Sequence, residues 1–362
     1  MQNIIYLLLT VLIFHNIALA ETYSHNLPTK IKNFIEYLEL QKPKLQGGAI
    51  AIISKGEAVY KTTFGHKQGN EGAITYHTLF PLASVSKIVS STAIALMVDK
   101  KQIDLDKEYL FPYLKSKVTL KNILGNSTGY RINGNQDIEK GMSRKDLLDK
   151  LSTLPQSCIP GKCYFYSNLC FSLVDDVLKK EKLSLGYAID MLKKTIKTDE
   201  IELSTLPEGA DVAFPHIKNK KRSGFTQLPF PKYYPKAVPG AAGVFASLEA
   251  MIELFKLEFF YRPDLISREI LEIFYEPYLK ANVDHWKLSF PVDSYYALGW
   301  RVFKSPNNKS KNLIFHGGTI AGINSFVGFI PSEEIGIIIL LNQASPAAAK
   351  IGLDFWREFL EQ

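Results

Sequence analysis

The sequence predicts an α+β fold. One antiparallel sheet is built from both ends of the chain and flanked by helices in an αβα sandwich, and a mainly helical unit is inserted between the ends. Three observations predict it. Strand-like runs cluster before residue 65 and after residue 311, at the two ends. The stretch between them is predominantly helical in pattern. The 362 residues are 46% hydrophobic and 22% charged, enough for a large core and too ordinary a balance for extended disorder.

Taken in order, residues 1–20 read as a secretory signal peptide. Ile4 to Phe14 is an apolar run, and Ala18-Leu19-Ala20 is a small-residue cleavage site before Glu21. The run is short for a bilayer span. An uncleaved anchor is the alternative, because the first residues carry no Lys or Arg. Residues 21–362 then form one domain: 21–83 and about 287–362 as an α/β subdomain, and about 84–286 as a helical subdomain. Thr29 caps a helix with Ile31, Phe34, Ile35 and Leu38 on one face, and Pro43 ends it. Ala49 to Ile53 and Ala58 to Phe64 are strands about a turn at 54–57. At the far end Asn312 to Phe315, Asn324 to Ile330 and Ile335 to Leu341 are strands, and Pro346 opens a terminal helix.

The net charge is +7, yet only one short basic cluster stands out (Lys218, Lys220, Lys221, Arg222), with no nucleic-acid motif beside it. We read it as a basic, soluble surface and expect no nucleic-acid partner. Beyond Ala20 no further apolar run is long enough to span a membrane, so no stable membrane insertion is expected after signal removal. Of three cysteines, Cys158 and Cys163 flank a Pro-Gly turn; a bridge and two free thiols both remain open.

Four patterns could carry chemistry. Gly125-Asn126-Ser127-Thr128-Gly129 fits the G-x-S-x-G elbow of α/β-hydrolases, but that motif needs a strand-to-helix turn, whereas Thr119 to Leu124 reads as a capped helix ending at Gly125. Ser84-Val85-Ser86-Lys87 precedes a buried apolar segment, which puts a serine and a lysine one turn apart at a helix start. A lysine in an apolar pocket loses its charge and can take a serine proton. Tyr166-Ser167-Asn168 offers a phenol for proton transfer and an amide for a substrate. His316-Gly317-Gly318-Thr319 follows a strand, and its glycines allow a backbone to approach a ligand. Taken singly, each has a bland reading: a capped helix, a loop triplet, a glycine turn.

Each of the last three patterns occurs once, and in a fixed order. Together they resemble the S-x-x-K, Y-x-N and H-x-G signatures of the penicillin-recognising serine hydrolases, especially the branch of class C β-lactamases, related DD-peptidases and β-lactamase-fold esterases. Thr119 to Gly129, Pro160-Gly161 with Phe165 to Asn168, Gly243 to Met251, and Leu298-Gly299-Trp300, taken as a strand, resemble further family segments. The resemblance implies a β-lactamase/transpeptidase-like fold and an acyl-enzyme on Ser84. It implies that Lys87 and Tyr166 share general-base work, that Asn168, His316, Gly318 and Thr319 bind substrate, and that the Ser84 and Thr319 N–H groups hold the oxyanion. It implies no metal and no cofactor.

Two departures stand out. Gly125-Asn126 occupy the place of the family's histidine in that segment, and His316 replaces the lysine of a typical β-lactamase. A neutral histidine holds a β-lactam carboxylate less well. The aromatic and proline-rich stretch Phe225 to Pro239 is either a pocket rim or a self-packed loop. The expectation is an exported, periplasmic or secreted serine hydrolase acting on a β-lactam, a D-amino-acid peptide (peptidoglycan-derived ones among them) or a carboxylic ester. The competitors are a non-catalytic sensor or binder and an α/β-hydrolase using Ser127.

Overall fold

A computed structural model describes residues 27–219, 223–260, 262–281, 292–305 and 311–360; the signal-like residues 1–20 and Lys220, Lys221 and Arg222 of the basic cluster lie outside them. Strands β1 (Gly47–Ser54), β2 (Glu57–Gln68) and β3 (Glu71–Ala73) come from the start of the chain. Strands β4 (Leu279–Lys280), β5 (Asp293–Tyr296), β6 (Arg301–Lys304), β7 (Asn312–Ile320), β8 (Ile323–Ile330) and β9 (Ile335–Leu341) come from its end. Among the described residues they form one sheet in the order β4-β5-β6-β7-β8-β9-β1-β2-β3, all neighbours antiparallel. The two ends meet where β1 pairs with β9, Ile50 opposite Ile339.

The β1–β2 turn follows from its residues. Lys55 (φ 51°) and Gly56 (φ 83°) are both left-handed, the turn whose twist suits a two-residue hairpin. Strands β1 and β9 are buried on both faces, hence near-continuous aliphatic runs rather than alternation. Their period of two still sorts side chains: Ile50 and Ile52 pack on one side, Ala49, Ala51 and Ile53 on the other.

On the first side lie α1 (Thr29–Gln41) and the terminal helix α5 (Ala347–Leu360), with Phe34 edge-on to Phe355 at 4.8 Å. Thr29 is the first helical residue, not the cap: Pro28 holds that place, its fixed φ leading into the first turn without a side-chain bond. On the second side lie α2 (Ser86–Asp99) and α4 (Leu248–Phe259). Helix α2 is buried almost all round, as its unbroken apolar and small residues require. Between α2 and α4 comes the short α3 (Leu120–Leu124), whose capping box joins Thr119 and Asn122.

Two local expectations are corrected. Leu298-Gly299-Trp300 is not a strand but the turn joining β5 to β6. Gly299 is left-handed (φ 89°), and a Cβ there would meet Ser91 Oγ at 2.1 Å. Ser84 does not start α2 itself but sits in the 3-10 turn Ala83–Val85 just before it. The Phe225 to Pro239 stretch is both things at once: Phe230 packs on Phe214 at 4.6 Å, while Tyr234 reaches the central cavity. Cys158 and Cys163 are bridged, and Cys170 is a buried thiol. No helix among the described residues is long and apolar enough to cross a membrane.

One buried acid ties α4 to α2. Glu258 is 3% exposed and hydrogen-bonded to Thr92. Thr92 has one hydroxyl hydrogen and already serves the Ile88 carbonyl at 2.9 Å, so a neutral Glu258 supplies the second proton. Burial raises the Glu258 carboxyl from 4.5 to about 7. From about pH 4.5 to about 7 the folded chain therefore keeps a proton that the unfolded chain has lost, and stability falls as pH rises through that window, by roughly 3 kcal/mol. Glu258→Gln should remove this slope. Urea unfolding of both proteins across pH 4.5 to 8 checks it, and equal slopes would refute it.

Candidate active site

Ser84 is positioned by strain on one side and close packing on the other. Ala83 before it is left-handed (φ 50°), which costs about 1–2 kcal/mol for a residue with a Cβ. Neighbouring bonds over-determine the turn: Leu82 N–H donates to the Val244 carbonyl at 2.9 Å, and Ser325 Oγ donates to the Leu82 carbonyl at 2.7 Å. Strand β7 runs against it. A Cβ on Gly318 would lie 2.4 Å from the Leu82 oxygen and 3.0 Å from Ser84 N, so only glycine lets the strand come this near.

Lys87 follows one turn later and is fully buried. Its amine lies 2.5 Å from Asn168 Oδ1, 2.9 Å from the Ala241 carbonyl and 3.4 Å from Ser84 Oγ. Burial, and then the charge of Arg301, push its pKa well below the usual lysine value. A neutral amine has two hydrogens and one lone pair. The hydrogens go to the two oxygens that can only accept, which leaves the lone pair for the Ser84 hydroxyl. The Asn168 amide is held at both ends, since its Nδ2 donates to Asn135 Oδ1 at 2.7 Å.

The Tyr166 ring lies 4.7 Å from the Lys87 amine, and its hydroxyl bonds to Ser84. Burial raises its pKa despite the opposing pull of Arg301, so Tyr166 rests as a neutral phenol. His316 is buried behind it. His316 Nδ1 faces the Gly317 carbonyl at 2.8 Å and so carries the hydrogen; Nε2 accepts from the Tyr296 hydroxyl at 3.3 Å. Burial, then the charge of Arg301, hold the imidazole well below its usual pKa, hence neutral. The Arg301 guanidinium lies 5.0 Å from the Tyr166 ring and 5.6 Å from Tyr296.

These groups surround a cavity of about 970 Å³. Ser84, Tyr166, Asn168 and Thr319 line it, and so do Arg131, Lys280 and Arg301, while among the described residues no Asp or Glu does. Such a wall attracts anions. A family profile described as Beta-lactamase matches residues 31–360. The chain belongs to the β-lactamase family. It is 22% identical over 349 residues to "Protein flp" of Staphylococcus aureus (strain N315), covering 89% of this chain and 64% of that one, so the chain spans less than two thirds of that relative. A "Beta-lactamase" of Escherichia coli (strain K12) is 23% identical over 86% of this chain and 88% of its own length. A "D-aminopeptidase" of Gluconobacter oxydans (strain 621H) is 24% identical over 83% of this chain and 56% of its own length. The octameric penicillin-binding protein homologue from Pyrococcus abyssi superposes with a TM-score of 0.76 at 19% identity, over 92% of this chain and 78% of that one.

Within this β-lactamase-family chain, Ser84, Lys87, Tyr166 and Asn168 come together as their motifs anticipated. Gly318 and Thr319 lie beside Ser84, with Thr319 on the cavity wall. His316 does not line the cavity; its ring lies 6.0 Å from that of Tyr166, which does, and it bonds to Tyr296 behind. Ser127 lies off the cavity wall: it is fully buried, donates to the Asn122 carbonyl at 3.1 Å, and follows a helix rather than the strand that the G-x-S-x-G elbow needs. Sequence reasoning missed Arg301, Arg131, Asn135 and Tyr296. Arg301 directly follows the Leu298-Gly299-Trp300 turn, a cation where a buried strand begins, and that was the available signal.

Arg301→Gln removes a positive neighbour from Lys87, so the Lys87 pKa should rise. Less neutral amine would then be present at a given pH, and the acidic limb of Ser84 reactivity should move to higher pH. The rate of fluorophosphonate labelling followed from pH 5 to 9 reads this; an unmoved limb would contradict it.

Proposed function

We propose that this protein is an exported serine hydrolase that cleaves an ester or amide through an acyl-enzyme on Ser84, and that its substrates carry a carboxylate. The observation supporting it most is the Lys87 amine, buried, neutral and with both hydrogens engaged, 3.4 Å from Ser84 Oγ. Ser84 Oγ attacks the carbonyl carbon while its proton passes to the Lys87 lone pair. The carbonyl oxygen becomes an oxyanion, held by the Ser84 and Thr319 N–H groups. As the bond to the leaving group breaks, Tyr166 gives that group its phenolic proton and recovers one from protonated Lys87. Water then attacks the acyl ester, its proton returns by the same route, and Ser84 is regenerated with release of the acid.

The cationic wall supports the substrate class. His316 brings no charge; Arg301 and Arg131 supply it, together with Lys280, whose amine also lies 3.3 Å from Asp293. β-Lactams, D-amino-acid peptides and acidic esters all satisfy this requirement. The competing reading, a binder that acylates and does not turn over, shares every residue and differs only in how fast water clears the ester.

Intact-mass spectrometry after incubation with a penicillin tests the proposal. The expected result is a covalent adduct on the native chain and none on Ser84→Ala. Loss of the adduct over minutes to hours with recovery of the free mass supports hydrolysis, and a permanent adduct supports the binder. Hydrolysis of carboxylate-bearing esters that persists undiminished in Ser84→Ala would overturn the reading. For paired esters with and without a carboxylate, Arg301→Gln should raise KM about tenfold for the acidic member alone, the scale of one lost charge-assisted contact.

A further inference from the structure

The departure at Asn126 falls beside the segment that carries Tyr166. Asn126 is 1% exposed and left-handed (φ 51°). Asparagine, aspartate and histidine are the side-chain residues that tolerate this conformation best, which fits an Asn where the family pattern has His. From this kinked position it holds both neighbours of Tyr166. The Phe165 N–H donates to the Asn126 carbonyl at 2.9 Å, and the Ser167 N–H donates to Asn126 Oδ1 at 2.9 Å.

The same stretch is tied down further back. The Gly161 N–H donates to the Ser127 carbonyl and the Ser157 N–H to the Gly129 carbonyl, each at 2.8 Å, inside or beside the loop closed by Cys158 and Cys163. Nearest the phenol, however, the one side-chain contact in this set is Asn126 Oδ1. Tyr166 has its backbone pinned on both sides by one residue, while its ring rests between Lys87 and Arg301. Freed from Oδ1, the Ser167 N–H would lack its buried partner and the chain would shift to find another.

We propose that Asn126 is the positioning residue for Tyr166, fixing the phenol where it can protonate the leaving group. This rests on the hydrolase reading above. Asn126 does not line the cavity; it also interacts with Tyr296, and its part in the reaction is through Tyr166. The consequence is selective: an alkoxide or amine leaving group needs the Tyr166 proton, whereas p-nitrophenolate leaves without one.

Asn126→Gly keeps the left-handed backbone and removes Oδ1; Asn126→Asp keeps an acceptor of the same reach. Both are compared with the native chain and Ser84→Ala on two esters of one carboxylate-bearing acyl group, an alkyl ester and a p-nitrophenyl ester. The expected result for Asn126→Gly is a loss of about tenfold or more in kcat/KM, which reads acylation, on the alkyl ester and little change in kcat/KM on the p-nitrophenyl ester, with Asn126→Asp close to native on both. Equal losses on both esters would make Asn126 merely structural, and unchanged rates on both would give it no role; either overturns the proposal. Hydrolysis that survives in Ser84→Ala overturns the hydrolase reading instead, and the positioning role with it.

Discussion

The site depends on one buried amine. Lys87 has no exposed surface, and an ammonium there would have to leave water for a place with two fixed acceptors and a nearby guanidinium. Loss of its proton is the low-energy answer to that environment. The surrounding geometry then assigns each remaining hydrogen. Asn168 and the Ala241 carbonyl take the two on nitrogen, Asn135 prevents the Asn168 amide from flipping, and the lone pair falls to Ser84. Without the hydrogen bonds the amine would be mobile, and without the burial it would be charged.

Charge around this amine is arranged to the same end. Arg301 acts on Lys87, Tyr166 and His316, each time disfavouring an added positive charge. Burial works with Arg301 at the amine and the imidazole and against it at the phenol, and the outcome is three neutral groups: amine, phenol and imidazole. The replacement of the family's lysine by His316 is less of a loss than it looks from the motif. A cation does stand on the neighbouring strand, where Arg301 pairs with Phe315 in register, one residue from His316.

The scaffold makes such precision affordable. Ser84 stands on a strained turn that would relax if it were free, but Val244, Ser325 and the glycine-lined edge of β7 close around it. The central strands β8, β9 and β1 behind that edge are buried on both faces and clamped by helices. Small displacements at Ser84 would therefore have to disturb a packed core.

Much of this was legible in the amino-acid sequence alone. Local chemistry sufficed for the hairpin at Lys55-Gly56, the Thr119 cap, the aliphatic strands and the serine–lysine spacing on a buried helix start, because each depends on residues close together in the chain. The order of three motifs carried the family. What tertiary structure decided was everything that joins distant segments: that Cys158 meets Cys163, that Leu298 to Trp300 turns instead of extending, that Arg301 faces Tyr166, and that Asn126 grips the chain on both sides of it. Protonation belongs to the same class. The side chain of Lys87 is set by the sequence, but its charge is set by what packs around it, and burial is a property of the fold rather than of any local run of residues.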